Sequence, residues 1–228
     1  VGSEMCIRDR CLTERVRRAA DPIWQAYFTH PFVTGIGDGS LSVEKFRFFL
    51  LQDYLYLYDY AKVFALGLLK SGIPEEMRFF SSNVDAVLNG EMNTHRAYMK
   101  RLGISDGEAE SVRMSLANRA YTNYMLSVGY SGGVPEVLAA ILACSWSYAE
   151  IGERLAAAPG AAAHPFYGEW ITGYAGGEYQ ATNRALIERM DAAAAGLSPA
   201  RLDALEQVFL DCSRFEGQFW QMSWEMAE

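Results

Sequence analysis

Apolar residues recur at three- and four-residue steps along most of the chain, the period of amphipathic helices, and no alternating stretch of useful length predicts a strand. A first helix is predicted over Leu12 to Phe28, with Thr13 near its start and Pro22 as a kink or boundary. His30-Pro31-Phe32 and Gly35-Ile36-Gly37-Asp38-Gly39 predict a turn-rich connection. Ser42 and Glu44 supply an N-cap and an acidic first turn for a long helix that reaches about Ser71 and stops at Gly72. Pro74, Glu75 and Glu76 open the next helix, which runs to about Leu102 and is closed by Gly103. Further helices are predicted from about Ser111 to Val128, from Pro135-Glu136 to just before Pro159-Gly160, and from Ser198-Pro199 to the C-terminus. Before the last of these, a glycine- and aromatic-rich segment, Trp170 to Gly177, leads into helix through Asp191. The expected fold is all-α, one domain over 11–228.

Three of these apolar stripes are each interrupted once. Val43, Phe46, Leu50, Leu57, Tyr60 and Phe64 form one whose missing step is Asp53. Val137, Ile141, Tyr148, Ile151 and Leu155 form a second that lacks only the step at Cys144. Leu202, Leu205, Phe209, Cys212 and Phe219 form a third, interrupted at Glu216. A carboxylate on a core-facing position is costly unless paired, so Asp53 either bridges something structural or faces a pocket where a ligand satisfies it. A lone cysteine reads as a small core residue, and Cys212, one turn before Glu216, shares that ambiguity with Cys144. Company shifts the balance. Tyr54, Tyr56, Tyr58 and Tyr60 surround Asp53 in sequence, Trp146 and Tyr148 follow Cys144, and Tyr121, Tyr124, Tyr174, Phe219, Trp220 and Trp224 lie further on. Such rings offer flat apolar faces with polar tips, suited to a planar heteroaromatic ligand.

Composition narrows the classes. Of 228 residues, 50% are hydrophobic and 21% charged, the balance of a folded globule, and a net charge of -8 opposes a nucleic-acid partner. No apolar run approaches the roughly 20 residues that span a bilayer; Val63 to Leu69 ends at Lys70, so no membrane is expected. The first ten residues differ in character from the rest and are read as a non-native or disordered segment outside the fold. Cys11, Cys144 and Cys212 are widely spaced with no C-x-x-C pair, which predicts neither zinc nor a disulfide framework and a cytoplasmic setting. Glu91 and His95 stand four apart with no second copy, so they read as an isolated surface pair, and neither metal nor cofactor is expected. The glycine loop lacks the lysine of a phosphate loop, and no G-x-S-x-G elbow occurs.

Five segments carry a resemblance to a known family: His30 to Leu41, Phe46 to Tyr54, Ala139 to Glu153, Trp170 to Gly177, and Phe215 to Trp220. In that order, and over about Cys11 to Trp224, the chain resembles the TenA (thiaminase II) family. The resemblance implies a haem-oxygenase-like helical bundle, usually a homotetramer. It also implies hydrolysis of an aminomethyl aminopyrimidine, a thiamin breakdown product, to the hydroxymethyl pyrimidine, with thiamin cleavage in some members. By the same resemblance Cys144 is the nucleophile and Glu216 the acid/base. Asp53 binds the pyrimidine amino group and a ring nitrogen, Tyr121 and Tyr174 donate or accept hydrogen bonds, and Tyr56 and Tyr148 wall the ring, with Phe219 beside them. The nucleophile needs thiolate character, and no Lys or His near Cys144 in sequence supplies it. Two other readings stay open: a haem- or metal-binding relative, opposed by the scarce histidines, and a non-catalytic pyrimidine-binding or regulatory protein.

Overall fold

The computed structural model describes residues 11–228; the reading of segment 1–10 falls outside the described residues. The elements are α1 (Leu12–Phe28), α2 (Pro31–Asp38), α3 (Val43–Lys70), α4 (Pro74–Asp85), α5 (Met92–Arg101) and α6 (Asp106–Ser111). They continue with α7 (Leu116–Ser131), α8 (Val134–Ala156), α9 (Gly168–Ala175), α10 (Gly177–Ala194) and α11 (Pro199–Glu225). Among the described residues no strand is present. Local chemistry sets the starts: the side chains of Ser42, Ser105, Ser115 and Ser198 each accept a backbone N–H of the first turn, and proline opens α2, α4 and α11.

α8 is the central element. Residues Val137 to Ala143 are essentially sealed on every side, and the helix packs against α3, α7, α9, α10 and α11. By length and composition it is apolar enough to cross a membrane, contrary to the expectation that no run approached that, but 67% of its most apolar window is buried by the neighbouring helices. A helix that is apolar all round is what the middle of a bundle requires. The outer helices are tied to one another by polar contacts. The Trp24 indole of α1 donates to Ser213 Oγ of α11 at 3.0 Å, and the Tyr27 hydroxyl donates to the Ser213 carbonyl. Between α3 and α7, Asn118 Nδ2 donates to the Gln52 carbonyl at 2.7 Å, which sets the register of the turn that carries Asp53.

Several predicted boundaries move. The segment expected as a turn-rich connection is the helix α2: His30 Nδ1 accepts Phe32 N–H and Pro31 sits at the first position. Its glycines serve close packing, since a Cβ on Gly37 would lie 2.8 Å from Leu155 Cδ2 of α8. α1 runs through Pro22 without ending. The helix expected from Pro74 to Leu102 contains a π-helical turn, Ala86–Glu91, between α4 and α5. The one expected from Ser111 instead begins at Leu116, after the short α6. The aromatic segment before α10 is the helix α9. Val43 is 50% exposed, so the stripe of α3 starts at Phe46.

Candidate active site

The three stripe-breaking residues meet in the interior. Asp53 and Tyr56 come from α3, Tyr121 from α7, Cys144 and Tyr148 from α8, Tyr174 from α9, and Glu216 and Phe219 from α11; all eight are buried. Asp53, Cys144, Tyr148, Glu216 and Phe219 stand on the inward stripes of their helices, so their burial follows from helical spacing and not from a special loop. Their electrostatics interlock. The charges of Glu216 and Asp53 both act on Cys144, and Asp53 acts on Glu216. Two groups of rings stand around these side chains. Tyr56 lies against Tyr121 and Phe219, with centroids at 5.3 and 5.8 Å, and Tyr148 lies against Tyr174 and Trp220 at 4.9 and 5.2 Å.

Glu216 is a strongly perturbed acid. Burial raises its pKa to about 8, the Asp53 charge adds to the rise, and the Tyr121 and Tyr148 hydroxyls oppose it. Tyr121 faces the carboxyl, yet neither its hydroxyl nor Glu216 Oε2 completes a hydrogen bond of good geometry, which leaves two buried polar atoms for a ligand to satisfy. Cys144 differs from the expectation of thiolate character. Burial, and then Glu216, push its pKa up, and only the Tyr56 hydroxyl pulls it down. The group is therefore held as a thiol, and Glu216 is the buried carboxyl whose charge acts on it most. Cys144 is 8% exposed, whereas Cys212 is 0% exposed and sealed by its neighbours.

Glu91 and His95 correct the sequence reading most. They are not a surface pair. His95 is 3% exposed and its Nε2 lies 2.6 Å from Asp53 Oδ2, while its Nδ1 donates to the Glu91 carbonyl oxygen at 2.9 Å. The Glu91 carboxylate accepts the Tyr174 hydroxyl at 2.8 Å. Glu91 is half-buried, its open side facing a cavity of about 330 Å³ that is also walled by His95, Tyr60, Ser145, Tyr174 and Tyr179. Asp53, Cys144 and Glu216 do not line that cavity; Asp53 stands behind His95, which does. The test that singled out Asp53 would have found His95, which sits on the stripe Val87, Met92, His95, Met99, all buried. Of the other sequence candidates, Tyr58 is exposed and donates to the Tyr54 hydroxyl, Tyr124 donates to Asp211, and Trp146 packs on Trp24. Among the described residues no three His, Cys, Asp or Glu side chains converge to hold a metal ion.

A helical bundle closed around a thiol, acids and tyrosines belongs to the class with the haem-oxygenase-like fold. A solved Shewanella denitrificans domain described with that fold superposes with a TM-score of 0.74 over 97% of this chain and 94% of its own, at 14% identity. Within that class the chain belongs to the TENA/THI-4/PQQC family, whose model matches residues 17–226. A Halalkalibacterium halodurans protein named aminopyrimidine aminohydrolase is 51% identical over 205 residues, 90% of this chain and 92% of that protein. A Silicibacter sp. TM1040 structure described as a TenA family transcription regulator is 36% identical, with a TM-score of 0.87 over 93% of this chain and 96% of its own.

Proposed function

We propose that this chain hydrolyses an aminomethyl aminopyrimidine to the hydroxymethyl pyrimidine with release of ammonia, using Cys144 as nucleophile, Glu216 as acid/base and Asp53 as the pyrimidine contact. The observation that carries the reading is the convergence of Cys144, Glu216 and Asp53 from three helices inside one shell of tyrosines. A half-identical relative named aminopyrimidine aminohydrolase supports the same substrate class. Reactive groups buried in the interior have a cost in stability that packing alone would not require.

The residue chemistry closes into a cycle. Asp53 accepts from the pyrimidine amino group while Tyr56 and Tyr148 hold the ring by its faces. The Cys144 thiol gives its proton to the Glu216 carboxylate as sulfur adds to a ring carbon, and the displaced electron pair collects on a ring nitrogen. That pair then expels the amine from the exocyclic carbon, with Glu216 returning its proton to the departing nitrogen. Water gives a proton to the Glu216 carboxylate as its oxygen adds to the carbon so exposed, the electron pair returned to the ring expels the sulfur, and Glu216 passes that proton to it, restoring the thiol.

Ammonia release from the aminomethyl pyrimidine tests the reading. Cys144→Ser is expected to abolish turnover with the helical fold intact, while Cys212→Ser, changed at a sealed position, keeps most of it. A wild-type protein that binds the pyrimidine without turning over would leave a binding or regulatory role instead. The homotetramer implied by the resemblance is part of the proposal; sedimentation equilibrium is expected to give about four times the 25.4 kDa of one chain.

A further inference from the structure

The contact between His95 and Asp53 holds a proton that pyrimidine binding alone does not call for. His95 Nδ1 meets the Glu91 carbonyl oxygen, which can only accept, so Nδ1 carries a hydrogen. At 2.6 Å, Nε2 and Asp53 Oδ2 require a second hydrogen between them, whichever atom holds it, because two bare acceptors at that distance repel. Among the described residues Oδ1 of Asp53 accepts no hydrogen bond. One oxygen of the carboxylate is thus clamped and the other is presented. The groups that face the pair are all acidic or neutral: Glu91 at the end of the π-helical turn, Glu216 on α11, Cys144 and Tyr148 on α8, and Tyr174 on α9. Burial opposes a charge on His95, but Asp53 and then Glu91 outweigh it and raise the imidazole pKa.

We propose that His95 is a positioning residue of this site: the proton it shares with Asp53 locks Oδ2 and leaves Oδ1 to receive the pyrimidine, so loss of that proton closes the site as pH rises. The proposal rests on Asp53 being the pyrimidine contact. Without the shared proton, Nε2 and Oδ2 turn away from each other and the carboxylate loses the orientation that faces the ring. The interaction is then a pH gate on binding, separate from the proton traffic between Cys144 and Glu216.

The test titrates binding of the hydroxymethyl aminopyrimidine, the expected product, against pH from 7 upward, with the ¹⁵N signals of His95 followed in the same samples and those of His30 and His164 as internal references. Wild-type affinity is expected to fall about tenfold per pH unit once His95 loses its second proton. His95→Gln, whose amide donates to Oδ2 but does not titrate, is expected to bind with no such decline. An undiminished wild-type affinity after His95 has lost its proton overturns the proposal, and so does the same decline in His95→Gln. If His95 keeps both protons throughout the folded range, His95→Phe at pH 7 decides: it is expected to bind at least about tenfold more weakly, as for a lost charge-assisted hydrogen bond, and wild-type affinity in that variant overturns the lock. Failure of wild type to bind the pyrimidine at any pH removes the substrate reading and the gate together, whereas binding with the wrong pH response removes the gate alone.

Discussion

At the scale of residues, Cys144 and Glu216 act as one titrating unit. Burial raises both, Glu216 to about 8 and the thiol well above its usual value, and each charge disfavours the other. In the proposed cycle the reactive state of the pair carries one proton, and thiol plus carboxylate has the same proton count as thiolate plus carboxylic acid. The first proton to leave the pair therefore sets the acid limb. The rate constant kcat/KM is expected to rise with pH through about 8, and Glu216→Gln is expected to lower kcat by about 10²-fold or more and to displace that limb. A limb that stays near 8 in the variant assigns it to another group.

At the scale of elements, two backbone features place the site. The π-helical turn between α4 and α5 ends at Glu91, which receives both the His95 imidazole on its carbonyl and the Tyr174 hydroxyl on its carboxylate. Such a turn widens the helix locally and re-aims the side chains of the next turn. Gly152 of α8 is the other. A Cβ there would lie 2.7 Å from both the carbonyl carbon and the Cβ of Tyr174, so glycine alone allows α9 to approach α8 and bring Tyr174 to Tyr148. Gly152→Ala is expected to destabilise the fold by about 1–3 kcal/mol, read by thermal melting, and to reduce turnover beyond what the stability loss explains.

At the scale of the whole molecule, the site opposes the bundle that houses it. A carboxyl whose folded pKa lies above its unfolded value stabilises the fold fully below the unfolded value, and that contribution disappears as pH rises through the folded value. For Glu216 the window runs from the ordinary carboxyl range up to about 8, and the raised His95 works in the same direction. The melting temperature is expected to fall as pH rises from about 5 to about 8, and Glu216→Gln, which stays neutral, is expected to flatten that fall. A melting curve equally pH-dependent in the variant would place the titration elsewhere.

Periodicity is a local property, and what it reports was legible in the sequence: an all-helical chain, the long helices α1, α3, α8 and α11, and the inward placement of Asp53, Cys144 and Glu216 as breaks in apolar stripes. The resemblance of the motifs supplied the family and the roles that periodicity could not. Tertiary structure decided what depends on a partner distant in the chain. It seated the helix Pro31–Asp38 against α8, where Gly37 packs under Leu155. It brought His95 to Asp53, 42 positions away, and Tyr174 to Glu91, 83 away. It kept Cys144 a thiol, since burial and then the Glu216 charge raise its pKa. The spacing of residues along one helix determines which face they share; the energy of a buried charge depends on what other helices bring to that face, and only the assembled bundle specifies that.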